Sequence, residues 1–152
     1  MVTGSMHLVE ANGHKVLLDC GMVQGKEQEE RLLNSEFPFD ARTIDAVVLS
    51  HAHIDHSGKL PLLIKNGFDG CIYSTSATRD LCAAMLQDSG SIQESDARFV
   101  NKLNAKKGLQ SVEPLYTVRD AKAALMLFRT VEYGRPIEIL PGMRLTFHDA
   151  GH

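Results

Sequence analysis

Asp45-Ala46-Val47-Val48-Leu49 runs directly into Ser50-His51-Ala52-His53-Ile54-Asp55-His56, and these twelve residues decide how the chain is read. The first five are apolar, β-branched in part and too few for a helix, so they read as a buried strand. The next seven carry four metal-ligand side chains in the pattern His-x-His-x-Asp-His. His51 and His53 fall on the loop that leaves the strand, two residues apart and able to point the same way. Asp55 and His56 come where a helix is expected to begin, running from Asp55 through Ile64, so they can face a neighbouring point. One segment therefore offers two imidazoles to one ion and a carboxylate with an imidazole to a second. Neutral imidazole and carboxylate suit zinc, with iron or manganese as further candidates.

Length and composition bound what such a site can belong to. The chain has 152 residues, enough for one domain with a real core, and it is 43% hydrophobic and 23% charged. A formal net charge of −3 gives no global reason to bind nucleic acid, so any attraction to phosphate must be local or supplied by metals. No apolar stretch approaches a membrane span, and no signal-peptide pattern follows Met1. Cys20, Cys71 and Cys82 are odd in number and lack Cys-x-x-Cys spacing, which reads as reduced thiols in a cytoplasmic protein.

Outward from the metal-ligand stretch, Met6–Glu10 and His14–Leu18 flank Ala11-Asn12-Gly13, a strong hairpin signal. Asp19-Cys20-Gly21 closes the second strand, and residues 25–31 open a polar, partly helical loop. Phe37 and Phe39 around Pro38 should pack that excursion back on the core. A helix continues through Leu60–Gly67, with Gly67 as a C-cap, and Cys71–Ser74 is a strand. Ser76 or Thr78 can cap a long helix to about Ser89, followed by a polar helical region from Ser91 to Leu109. Val118–Phe128 predicts an amphipathic helix with Ala121, Ala124, Leu125 and Phe128 on one face. Tyr133, Ile137–Leu140 and Met143–His148 read as strands around a Pro141-Gly142 turn. Strands and helices interleave without repeats or linkers, so residues 1–152 are expected to form a single α/β domain, with sheets covered by helices.

The resemblance goes beyond one motif. Asp19 in Leu17-Leu18-Asp19-Cys20-Gly21, the cluster His51 to His56 extended by Ser57-Gly58-Lys59-Leu60-Pro61, and Asp149-Ala150-Gly151-His152 follow the order of the first three motifs of the metallo-β-lactamase superfamily. Within it the chain resembles the β-CASP branch of RNA-processing nucleases. That likeness rests on Val2-Thr3-Gly4-Ser5, on Asp88 to Ala97, and on Val112-Glu113-Pro114-Leu115-Tyr116-Thr117. The resemblance implies a partial αβ/βα sandwich and two zinc ions. It implies His51, His53 and His152 as ligands of the first zinc, and Asp55 and His56 as ligands of the second and as catalytic residues. Asp19 would support the metal loop without binding metal. The family's fourth-motif aspartate and its later histidines match nothing in these residues. The chain is therefore expected to be the N-terminal part of a larger enzyme, with a β-CASP domain or a second copy of the chain supplying the remaining ligands.

The chemistry implied is hydrolysis of RNA phosphodiesters by a metal-bridging hydroxide, which a dinuclear site generates at neutral pH while neutralising the phosphate. The alternatives are another metallo-β-lactamase hydrolase, acting on a thioester, lactone or tRNA precursor, and a non-catalytic RNA-processing scaffold. Weaker candidates stand apart. His7 and His14 sit on hairpin strands and are expected to touch no metal. His148, four residues before His152 on an apparent strand, reads as structural. Arg98, Lys102 and Lys106 recur at helical spacing; such a stripe is ordinarily a solvated face, though it would also suit an RNA backbone.

Overall fold

The computed structural model describes residues 3–25 and 32–151. Residues 26–31 of the polar loop expected over 25–31, Val2 of the opening motif and His152 lie outside the described residues. Two strands, β1 (His7–Ala11) and β2 (His14–Leu18), pair antiparallel through Ala11↔His14. The two residues between them, Asn12 and Gly13, have φ of 53° and 76°. That is the left-handed pair a tight two-residue hairpin requires, and Asn and Gly tolerate it best. β1 starts one residue later than the sequence pattern suggested.

From β2 the sheet grows by parallel neighbours: β3 (Ala46–Val48), β4 (Cys71–Ser74) and β5 (Phe128–Thr130), in the order β1-β2-β3-β4-β5. Register places Leu17, Val47, Ile72 and Phe128 in one row across four strands. That row faces the helices and joins the larger core with Leu60, Leu63, Cys82, Leu86 and Ala121. Alternate residues Val16, Ala46, Val48 and Tyr73 point the other way. They meet β6 (Ile137–Leu140) and β7 (Met143–Leu145), an antiparallel pair, in a second core. A slip of one residue would exchange the two cores, so register is strongly specified. The result is an α/β fold of three layers: helices, a five-stranded sheet and a two-stranded sheet. Phe37 and Phe39 stack at 5.3 Å and lie against the larger core, as their spacing around Pro38 suggested.

Helix extents depart from the sequence reading in three places. The helix expected over Asp55–Ile64 is two short ones, α1 (Ile54–Ser57) and α2 (Leu60–Lys65), separated at Gly58-Lys59. The break lets the Lys59 amide leave the helical ladder and donate to the Cys20 carbonyl at 2.8 Å. The two helices expected between Ser76 and Leu109 are one, α3 (Ser76–Lys107), of 32 residues, capped by Thr75 rather than Ser76 or Thr78. It ends on Gly108 at φ 67°, the left-handed cap that glycine adopts without strain. The helix expected over Val118–Phe128 stops at Leu125, as α4 (Val118–Leu125). Phe128 instead opens β5, because Ile72 and its neighbours on β4 present an open ladder edge; tertiary pairing outweighs the helical period here. Tyr133 belongs to no strand but forms an isolated parallel bridge with Phe147.

Gly90 looks like a helix breaker in sequence, and in the structure it is a contact. It lies buried on the same stripe as Thr78, Cys82 and Leu86. A Cβ there would come within 2.9 Å of the Val118 amide nitrogen and 3.0 Å of the Thr117 carbonyl carbon. The missing side chain lets the start of α4 sit on α3. Tyr116, wholly buried beside this contact, donates its hydroxyl to Ser89 Oγ at 2.8 Å. Gly90→Ala should therefore lower stability although alanine is the better helix former. Overpacking of about 1–3 kcal/mol exceeds a propensity gain of about 1 kcal/mol. Thermal unfolding of the variant should show a lower midpoint, and a raised midpoint would mean that α4 does not close on Gly90.

Candidate metal centre

The C-terminal ends of parallel strands β2, β3 and β4 emerge on one edge of the sheet, where binding sites in α/β folds form. Asp19 leaves β2, Ser50 and His51 leave β3, and Thr75 leaves β4. Asp19 is buried, with 7% of its surface exposed, and has φ 60°, a conformation uncommon for a residue with a side chain. Its partners explain why it holds that shape. The Ser50 amide donates to Oδ1 at 2.8 Å, and the Ser50 hydroxyl donates to Oδ2 at 2.9 Å. His56 Nδ1 lies 2.8 Å from the same Oδ2, and the Ser5 hydroxyl reaches it at 3.4 Å.

A carboxylate only accepts, so His56 Nδ1 carries a proton, which makes Nε2 the lone-pair nitrogen of the neutral ring. That Nε2 lies 3.7 Å from Asp55 Oδ2. The same logic passes through Ser50. Its hydroxyl proton goes to Asp19, so it accepts from His51 Nδ1 at 3.0 Å, which leaves a lone pair on His51 Nε2. This nitrogen faces His53 Nδ1 at 3.0 Å. The three rings form one cluster: His51 lies 4.8 Å from His53 and 4.0 Å from His56, centroid to centroid. Carboxylate–imidazole and hydroxyl–imidazole bonds of this kind fix the tautomer in which the outward nitrogen can bind a metal.

The backbone beneath is clamped from two sides. Ser5 donates to the Asp55 carbonyl at 2.7 Å, Cys20 to that of His56 at 2.7 Å, and Met22 to that of Ile54 at 3.0 Å. Gly21 makes this approach possible, since a Cβ there would run into the Asp55 carbonyl. Ser57, fully buried, donates its hydroxyl to the Ala52 and His53 carbonyls at 2.8 and 3.1 Å, closing the loop from inside. Lys59 is buried too; its Nζ donates to the Glu36 carbonyl at 2.8 Å and lies 4.3 Å from the Phe37 ring centre. Burial holds its ammonium below the usual lysine range. Burial also pushes the Cys20 thiol far up, so it stays protonated and offers no thiolate to a metal.

Two nitrogens bound tetrahedrally to one ion at about 2.0–2.1 Å sit about 3.3 Å apart. The His51–His53 and Asp55–His56 pairs bracket that separation, so the donors present fit divalent ions pairwise. Among the described residues no three such donors are gathered as a complete set. His152, the remaining histidine expected at the first ion, lies outside them. His51 and His53 line a cleft of about 930 Å³ together with Asp19, Ser50, Tyr133, Phe147 and Asp149. His7 and His148 also line it, and His148 lies beyond the end of β7 rather than on a strand as expected. His14 sits elsewhere, 3.5 Å from Asp45. Arg98, Lys102 and Lys106 are exposed on α3 and contribute nothing to the cleft walls, and Arg98 lies 3.8 Å from Glu94. Sequence reading passed over Ser50, Ser57, Lys59 and Gly21; a small residue after Asp-Cys at a strand end was the one available signal.

The family model described as Metallo-beta-lactamase superfamily matches residues 2–111. The chain belongs to the metallo-beta-lactamase superfamily. It is 39% identical over 151 residues to "Ribonuclease TTHA0252" of Thermus thermophilus, covering 99% of this chain and 30% of that protein. It is 41% identical over 110 residues to "Transcription termination factor FttA" of Pyrococcus abyssi, covering 72% of this chain and 15% of that one. The chain thus spans less than a third of these curated relatives. Among solved structures, the Rm3 metallo-beta-lactamase superposes with a TM-score of 0.51 at 20% identity, over 97% of this chain and 46% of that one. The fold is therefore that of the superfamily, whose members are divalent-metal proteins.

Asp19→Asn tests the tautomer chain. An amide in place of the carboxylate would donate to His56 Nδ1 and drive the proton to Nε2, the ligating atom, while asparagine still accepts the left-handed backbone. Metal affinity, measured by competition with a chromophoric chelator, should fall about 10–100-fold with the fold retained by circular dichroism. Unchanged affinity would show that Asp19 does not set the tautomer.

Proposed function

We propose that this chain carries the metal-binding part of a β-CASP-type ribonuclease that hydrolyses RNA phosphodiester bonds with two zinc ions, in the cytoplasm. One observation carries the reading. Four ligand-type side chains within six residues converge at 3.0 and 3.7 Å over a loop whose tautomers are set by Asp19 and Ser50. His51, His53 and His152 would hold one ion, and Asp55 and His56 the other, within a single domain over residues 1–152. When bound, such a pair of ions supplies a nucleophilic water at neutral pH and neutralises the charge of the attacked phosphate.

The chain's own residues supply the frame. Asp19 and Ser50 orient the imidazoles, the Gly21 contact fixes the Asp55 backbone, and the cleft lined by His51 and His53 gives substrate a place beside them. Relatives named a ribonuclease and transcription termination factors support an RNA substrate over a thioester or lactone. The second name also supports a role in transcription termination. All four donors of the His51–His56 segment are present, which favours catalysis over a scaffold.

His51→Ala and Asp55→Ala should each reduce bound zinc, read by elemental analysis of dialysed protein, from about two per chain. RNA cleavage should fall below about one per cent of wild type, since even supporting residues cost 10–100-fold. Full cleavage by either variant, or wild-type protein that takes up no zinc, would sink the reading.

A further inference from the structure

The cleft has two unlike sides. On one stand His51 and His53 with Asp19 and Ser50. The other comes from the segment between β5 and β6, which carries Tyr133, and from the residues after β7, which carry Phe147 and His148, with Leu18, Val48 and Leu145 as apolar lining. Tyr133 is 60% exposed although its neighbours Val131 and Phe147 are buried in the second core. Its backbone is pinned. Tyr133 bridges Phe147, the Gly134 amide donates to the Phe147 carbonyl at 2.8 Å, and the Val131 amide donates to the Ser74 carbonyl at 2.8 Å. An aromatic ring on so fixed a backbone, in a cleft that His51 and His53 also line, is a surface suited to a flat partner.

We propose that Tyr133 is the stacking platform for a nucleobase adjoining the scissile phosphate, with the apolar lining receiving the base and the donor side receiving the phosphate. This rests on the RNA reading above. The cleft's volume, about 930 Å³, is near the upper end of ligand clefts at roughly 300–1,000 Å³. It has room for a base and its phosphate together. Every base has a π-face, so such a platform gives affinity without sequence preference. The ring nitrogens of His7 and His148, which line the same cleft, can meet a base edge as donor or acceptor. Tyr133 forms none of the bonds that hold the donors or set their tautomers, so its part is binding rather than bond cleavage.

The test uses the zinc-loaded protein and short single-stranded RNAs, with an abasic ribose placed in turn on either side of the cut site. Tyr133→Ala should raise KM about tenfold, with kcat and bound zinc unchanged and Tyr133→Phe behaving as wild type. An abasic ribose at one flanking position should raise the wild-type KM by the same factor and cost Tyr133→Ala nothing further. Tyr133→Leu, which keeps the apolar volume, should lose affinity as alanine does and guards against a folding defect in the smaller variant. RNA cleavage with KM unmoved by these changes, or losses that multiply between the variant and the abasic substrate, would overturn the platform and leave the ribonuclease reading standing. A zinc-loaded wild type that neither binds nor cuts RNA would overturn both.

Discussion

The Asp19 carboxylate is the constraint from which the rest of the site follows. It sits at the end of β2 in a left-handed backbone that costs of the order of 1 kcal/mol for a residue with a Cβ. It accepts from the Ser50 amide, the Ser50 hydroxyl and His56 Nδ1 at 2.8, 2.9 and 2.8 Å. Hydrogen bonds to a charged partner contribute about 1.5–3 kcal/mol each, so the strain is outweighed several times over. The same turn directs Cys20 to Met22 under α1, where their amides take up the carbonyls of His56 and Ile54. One residue therefore ties the end of β2, the loop after β3 and the first turn of α1 into a single body.

A metal loop built this way is stiff for a loop. Connecting segments generally carry function because they are exposed and variable, and they depend on a scaffold to hold their geometry. Here the scaffold reaches into the loop. Ser57 closes it from below, Gly21 admits the Asp55 carbonyl, and buried Lys59 anchors the Glu36–Phe37 segment beside it. Donors held so before an ion arrives lose little further freedom on binding it, which favours tight binding and a defined geometry.

Much of this was legible in the sequence, and what was not has a common cause. The short apolar runs Val16–Leu18 and Ala46–Leu49, the Asn12-Gly13 turn and the donor spacing after Leu49 are local signals, and each names its structure. The misread helix ends concern residues whose fate depends on distant partners. Gly90 was open to a break until Thr117 and Val118 packed on it. Gly58-Lys59 continues a helical pattern, yet the Lys59 amide leaves that ladder for Cys20. Phe128 fits the apolar face of α4 but serves β4 as a ladder partner. Ser50 illustrates the same limit within the site. Its hydroxyl relays between Asp19 and His51, a role defined by two residues that sequence separation does not reveal as neighbours.

The two sides of the cleft consequently answer to different parts of the chain. The donors of the His51–His56 segment are set within a few residues by strand-end geometry and by Asp19, so their arrangement is nearly independent of how the two sheets pack. The facing side depends on that packing: Val131 and Phe147 are buried between the sheets, and their position decides where the Tyr133 ring stands. Substitution in the second core can therefore shift what the cleft binds while leaving the His51–His56 donors in place. A change at Asp19 or Gly21 alters the metal side and leaves the Tyr133 wall where it is. That separation would let specificity vary through the sheet contact without disturbing the bonds that hold the His51–His56 donors.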